Sequence, residues 1–367
     1  MKYEQPLKKI LSQTRLYWDR DETRLSVRLA FSKTLQCRTA ELGAEIYASE
    51  DEELILYHTC KSPTCPSCGH RRNVQWLRER WAALPDVIYK GITFTMPKEL
   101  WPLFRDNQKL AKALSALAAK VIQTRVSAKY GLQIGVIAIL HTFNGKLEFN
   151  SHVHTMMTGG GLRESSAAWV RSVYHDCIPL MKAWRTSVIK LLRVAVGVGE
   201  LVTTMTVAQV EDMITQQEKR PWIIKVQSLK DRTHFLQYAG RYVRRPPIAQ
   251  RRIIRIDEQN VVFWFKDKKL RRHVAIQCSL EDYIDLWSQH VLERYQHAVR
   301  NFGLFAPRAL DQTSAAIFAI LGQERRSRPK PRRWAESIMR DFKRDPLLDR
   351  TGKTMRRVGR IAPKASR

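Results

Sequence analysis

Leu147-Glu148-Phe149-Asn150-Ser151-His152-Val153-His154-Thr155-Met156-Met157 decides the fold. The stretch reads as a strand on which Val153 turns toward a core while His152 and His154 share the opposite face. Upstream, Gln133 to Thr142 is an apolar run with strand character, and Asn144-Gly145 supplies a turn between the two. Downstream, Gly159-Gly160-Gly161 punctuates the end. Two imidazoles at alternate strand positions hold a divalent metal at fixed geometry. The third ligand depends on the hairpin. A tight two-residue turn at Asn144-Gly145 would pair residue 141 with 148 and exclude His141. A wider loop centred on Leu147 would set His141 opposite Val153, within reach of the metal. Glu148 and Gln237 are fallback ligands.

Further along, Thr233-His234-Phe235-Leu236-Gln237-Tyr238-Ala239-Gly240-Arg241-Tyr242-Val243-Arg244-Arg245 predicts a helix over 233–244, stopped by Pro246-Pro247. Phe235, Ala239 and Val243 are spaced to pack inward. Tyr238 and Tyr242, four apart, share an adjoining face and offer two phenolic nucleophiles to one metal-bound phosphate. Arg241, Arg244 and Arg245 are placed to hold phosphates. Magnesium or manganese suits such chemistry despite the imidazole ligands. Gly240 in mid-helix costs roughly 1 kcal/mol relative to alanine, which points to close approach by another element.

Lys and Arg number 64 against 35 Asp and Glu, leaving a net charge of +29. Self-repulsion on that scale opposes compaction, and a polyanion that releases counterions is the natural compensation. The first seventeen residues carry charges throughout and lack the apolar centre of a signal peptide. Ile134 to Leu140, the longest apolar run, is too short to span a bilayer. A cytoplasmic protein with no membrane partner is expected, associated with the nucleoid through DNA.

In that reducing setting six cysteines argue for metal rather than disulfides. Cys60-x4-Cys65-Pro66-x-Cys68 puts three thiolates around a proline-containing knuckle, as a structural tetrahedral zinc requires. Cys37 is the best fourth ligand, with His58 and His70 as alternatives. Cys177 and Cys278 lie among apolar residues and read as core.

Residues 1–84 read as an N-terminal zinc-binding, DNA-binding domain, with Ala48 to Glu53 an exposed acidic turn and a helix from after Cys68 to Ala83. Residues 85–250 form the catalytic domain, with a strand over 87–95, a helix over 108–130, a long helix over 165–196 and a strand over 223–229. Residues 251–324 follow as an extension, with a hairpin of 253–256 and 261–265 and a helix capped by Ser279. The tail 325–367, with sixteen Lys/Arg and four Asp/Glu, is expected to be loosely ordered and to bind backbone phosphates.

Taken together these residues resemble the two-tyrosine transposases of the HUH single-strand nuclease superfamily, in the group typified by insertion sequence 91. The markers are Cys37-Arg38-Thr39, Cys60-x4-Cys65-Pro66-Ser67-Cys68, Thr93-Phe94-Thr95-Met96-Pro97, His141-Thr142-Phe143, Asn150-Ser151-His152-Val153-His154, Gly159-Gly160-Gly161-Leu162, Tyr238-Ala239-Gly240-Arg241-Tyr242 and Arg300-Asn301-Phe302-Gly303-Leu304. Many members carry an extra Cys-x2-Cys where this chain has Tyr47-Ala48-Ser49-Glu50-Asp51, which leaves Cys37, Cys60, Cys65 and Cys68 as the natural four. The resemblance implies an α+β fold with a central antiparallel sheet, the two histidines on a middle strand, and flanking helices of which one presents the tyrosines. It also implies rolling-circle-like movement of an element through single-stranded DNA, with the element ends, a target and the host helicase or replication machinery as partners. A plasmid replication initiator or relaxase shares this chemistry. A zinc-dependent DNA-binding protein without catalysis is the reading from another class.

Overall fold

The computed structural model describes residues 5–243, 246–267 and 269–364. Helices α1 (Pro6–Gln13), α2 (Arg15–Trp18) and α3 (Leu25–Gln36) lead into β1 (Ala44–Ala48), β2 (Glu53–Tyr57) and α4 (Pro66–Ala83). Next come β3 (Tyr89–Phe94), α5 (Trp101–Arg105), α6 (Gln108–Tyr130), β4 (Gly135–Phe143), β5 (Phe149–Thr158), β6 (Gly161–Arg163) and β7 (Ala168–Val170). They are followed by α7 (Cys177–Gly197), α8 (Val207–Lys219), β8 (Ile224–Leu229) and α9 (Arg232–Ala239). The chain continues through β9 (Ile253–Ile256), β10 (Asn260–Lys266), β11 (His273–Ser279), α10 (Leu280–Ser288), β12 (Val299–Gly303), α11 (Pro307–Ile320), α12 (Trp334–Phe342) and β13 (Arg356–Ile361).

Two compact units emerge. One gathers Met1–Trp76, Arg244–Val291 and Pro329–Arg367; the other gathers Leu77–Val243 and Leu292–Arg328. The stretch 251–324, expected as one extension, is therefore shared between them.

The second unit is built on a five-stranded antiparallel sheet in the order β12-β4-β5-β3-β8, with β5 in the middle. Strand alternation sorts its residues onto two faces. Ile92, Phe94, Val136, Ala138, Leu140, Val153 and Met157 join the buried core with Leu114 and Ile122 of α6 and Trp184 and Val188 of α7. Gly91, Thr93, His141, His152 and His154 fall on the other face. The helix expected over 165–196 begins only at Cys177, where Asp176 caps it by accepting from the Ile178 amide. Residues 168–170 instead pair with 161–163 as a small hairpin. The glycine run explains this: a β-carbon at Gly160 would lie 1.7 Å from the Val170 carbonyl oxygen, so only glycine admits the returning strand.

In the first unit β13, β1 and β2 form one antiparallel sheet and β11, β10 and β9 another. The tail expected to be loosely ordered instead carries α12 and β13, and β13 pairs with β1 from Ala44↔Ile361 to Ala48↔Arg356. Main-chain pairing and ion pairs such as Lys353 with Glu50 and Asp51 order it. Among the described residues no helix is long and apolar enough to cross a membrane.

Candidate active site

Hairpin register brings the histidines together. His141 stands directly opposite His152 across β4 and β5, and the register slips by a bulge between His141 and Phe143. The loop is the wide alternative, with Leu147 in the left-handed region at φ 66°. The expected partner of His141 was Val153; the register instead sets it opposite His152, and directly opposed residues share a face. One ligand nitrogen from each of His141, His152 and His154 falls within 4.8 Å of the others. Their ring centroids are 4.9 to 5.5 Å apart.

The donor chemistry fits a divalent cation. His152 Nδ1 donates to the Asn150 carbonyl at 2.8 Å, and His141 Nε2 donates to the Tyr242 carbonyl at 2.8 Å. His154 Nδ1 meets the Thr93 hydroxyl at 3.1 Å and the Tyr238 hydroxyl at 3.2 Å. Hydrogen bonds of this kind orient metal-ligating imidazoles and choose their tautomer, and for His154 they leave Nε2 to face a metal. Burial, reinforced by the neighbouring histidines, pulls the His154 imidazole down to about 2, so it stays neutral as a ligand must. Glu148 is exposed and accepts from Asn144 instead, and Gln237 is exposed on α9.

Both tyrosines reach this face. Helix α9 begins at Arg232, where the Asp231 carboxylate caps the His234 amide, and ends at Ala239, earlier than expected. Tighter turns carry the chain on, with the Arg241 and Tyr242 amides donating three residues back to the Tyr238 and Ala239 carbonyls. The helix therefore breaks off one turn short, yet the tyrosine rings still adjoin, with centroids 4.8 Å apart. Tyr242 stacks on His154 at 3.7 Å between centroids. Tyr238 is buried, and burial foremost pushes its phenol up to about 12. Arg241, exposed, sets its guanidinium 5.4 Å from the Tyr238 ring centre. Arg244 and Arg245 lie outside the described residues. At Gly240 a β-carbon would lie 3.3 Å from the Leu236 carbonyl oxygen of the same helix and 3.4 Å from Leu77 Cδ1, an ordinary contact.

The first unit holds the thiol cluster. Sγ atoms of Cys37, Cys60, Cys65 and Cys68 lie within 4.8 Å of one another, with Cys37–Cys68 and Cys60–Cys68 both at 3.7 Å. Sulfurs about 2.3 Å from a tetrahedral zinc stand roughly 3.8 Å apart, so the set fits. The Cys60 amide points at Cys37 Sγ and the Ser62 amide at Cys60 Sγ. Hydrogen bonds from the neighbouring thiols hold Cys68 and Cys37 below the ordinary thiol range. His58 is engaged by Leu42 and Glu45, and His70 by Asp341, so neither joins the cluster. Cys177, expected in a core, is exposed, and Cys278 is half-buried.

Thr93 carries no local signal of a role in the site. Its part in the site depends on the pairing of β3 with β5, which sets Thr93 opposite His154.

Comparison with known proteins finds two family matches and relatives along most of the chain. Residues 135–313 match the family described as "Putative transposase", and residues 9–96 match a "Transposase zinc-binding domain" typical of insertion sequence 91. The chain is 28% identical over 302 residues to the "Transposase for insertion sequence element IS801" of Pseudomonas savastanoi pv. phaseolicola, covering 79% of this chain and 73% of that protein. It is 26% identical over 336 residues to "Putative transposase y4qJ" of Sinorhizobium fredii (strain NBRC 101917 / NGR234), covering 87% and 83%. No solved structure matches the chain.

Proposed function

Since the chain belongs to the insertion sequence 91 family of transposases, with an N-terminal zinc-binding domain, we propose that it cuts and rejoins single-stranded DNA through a 5′-phosphotyrosine during rolling-circle-like movement of its element. The observation that carries this reading is the convergence of Tyr238 and Tyr242 on a face bearing three histidines. A magnesium or manganese ion held by His141, His152 and His154 would polarise the scissile phosphate and offset its developing charge. A phenolic oxygen forms a bond to phosphorus as the bond to the 3′ oxygen breaks; the phenol proton passes to solvent and the 3′ oxygen takes one up. The linkage conserves the phosphodiester, so rejoining requires no nucleoside triphosphate. Two tyrosines let a second strand be cut while the first end is still held. Arg241, beside the Tyr238 ring, would steady the DNA backbone there. Single strands at the element ends and target are the substrate, with a host helicase to expose them.

The test is adduct formation on oligonucleotides from the element ends, with manganese present. Tyr238→Phe combined with Tyr242→Phe should abolish the covalent adduct, and His152→Ala or His154→Ala should abolish cleavage while DNA binding persists. An adduct surviving the double substitution, or one mapped to Tyr174 or Tyr283, would defeat the reading.

A further inference from the structure

We propose that Thr93 is a positioning residue for attack by Tyr238: its hydroxyl ties the Tyr238 phenol to the His154 imidazole, and Gly91 on the same strand keeps open the space that the Tyr238 ring fills. The inference rests on the reading of Tyr238 as a nucleophile.

Thr93 is paired with His154 across β3 and β5, so both side chains rise from the same face. Its Oγ1 lies 3.1 Å from His154 Nδ1 and 3.4 Å from Tyr238 Oη, and Tyr238 Oη lies 3.2 Å from that same nitrogen. Three polar atoms from three elements thus close a triangle. Tyr238 is 3% exposed, so solvent offers its hydroxyl little alternative. Threonine suits this role because a branched β-carbon on a strand restricts χ1 and so fixes where the hydroxyl points. Gly91, two residues earlier, faces the same way. A β-carbon there would lie 3.3 Å from Cε1 and Cζ of Tyr238 and 3.2 Å from Cγ of Gln227. Because Gly91 also sits in the middle of a paired strand, the ring rather than the backbone would have to yield. Tyr242 meets the same imidazole by stacking, 3.7 Å between centroids, a contact in which the Thr93 hydroxyl takes no part. The Thr93 hydroxyl therefore touches one tyrosine directly and reaches the other only through the shared His154.

That asymmetry is the test. Covalent adduct is measured at saturating manganese in two backgrounds. In Tyr242→Phe, where only Tyr238 can attack, adding Thr93→Val should slow adduct formation about tenfold or more, as misplaced reacting groups do. Thr93→Ser should restore most of it, and Gly91→Ala should slow it as well. In Tyr238→Phe the same Thr93→Val should slow the rate at least about threefold less, because there it disturbs only the His154 ligand that both tyrosines share. Equal slowing in both backgrounds, or none in Tyr242→Phe, would overturn the proposal. A second readout needs no catalysis. In 15N-histidine spectra of the zinc-loaded chain without added manganese or magnesium, Thr93→Val should shift the His154 Nδ1 resonance and leave that of His175 in place; an unmoved His154 signal would also overturn it. An adduct in the variant lacking both tyrosines is a separate failure, because it removes the tyrosine reading itself.

Discussion

A buried imidazole without a counter-charge is held neutral, and that preference becomes a pH dependence of stability. His175 is 8% exposed, and burial, followed by the nearby Lys90 and Lys129, lowers it to about 4. The unfolded chain keeps the ordinary value near 6.5. Below that pH the unfolded state binds the proton first, so the contribution is present above about 6.5 and is lost as pH falls toward 4. Unfolding in denaturant at pH 7 and pH 5 should show His175→Gln losing roughly 2 kcal/mol less than wild type over that interval. Equal losses would mean that His175 is hydrated in solution. Its burial was not readable beforehand, because nothing local around Tyr174-His175-Asp176 marks it as interior. His152, His154, Tyr238 and Tyr242 were readable, because strand and helix periodicities state which face each residue shares. Thr93 lies between these cases: visible as a residue, silent as a contact until two strands are in register.

At the scale of the element, local patterns located β3, β4, β5, α6 and β8 well, since each carries its own periodicity. Two elements differ from expectation. The long helix expected from residue 165 gives way to β6 and β7, where returning backbone sets the geometry, and α9 stops at Ala239, beyond which His141 takes the Tyr242 carbonyl. Glycine is the signature of such approaches. Gly160→Ala would set a β-carbon 1.7 Å from the Val170 carbonyl oxygen and within 2.7 Å of Arg171 backbone atoms, so the hairpin has to shift. A destabilisation on the order of 3 kcal/mol or more is expected, in the range of severe backbone clashes. Gly197→Ala, where a β-carbon meets nothing within 4 Å, should stay within about 1 kcal/mol of wild type. Comparable denaturation midpoints for the two variants would show that the hairpin yields freely and that the glycine run has another cause.

At the scale of the whole molecule, the decisive fact is a pairing across most of the chain. Strand β13 lies against β1, a contact with no local signature, so a tail rich in arginine and proline looked like a solvated arm. What binds it is partly electrostatic. The acidic turn after β1 receives Lys353 on Glu50 and Asp51 and Arg350 on Glu52, and Asp349 accepts from the Ser49 hydroxyl. Exposed ion pairs contribute little singly, so the main-chain ladder and packing have to do more. A β-carbon at Gly43, which precedes β1, would lie 2.6 Å from the Ile361 carbonyl oxygen, and Trp334 of α12 meets the Tyr47 ring edge-on at 5.6 Å. Without β13 the sheet beside the thiols keeps only the β1–β2 hairpin, and an isolated two-stranded hairpin is marginal in water. That hairpin leads on one side from Cys37 and on the other to Cys60, so loosening it loosens two thiols of the cluster. Removing residues 345–367 should therefore speed zinc loss to a chelator by about tenfold or more, the scale on which weakened support reduces metal affinity. Cys65→Ser provides the limiting case, with zinc absent from the purified chain. Zinc retained by the truncated protein as tightly as by the full chain would show that the tail rests on the zinc-binding unit without holding it together.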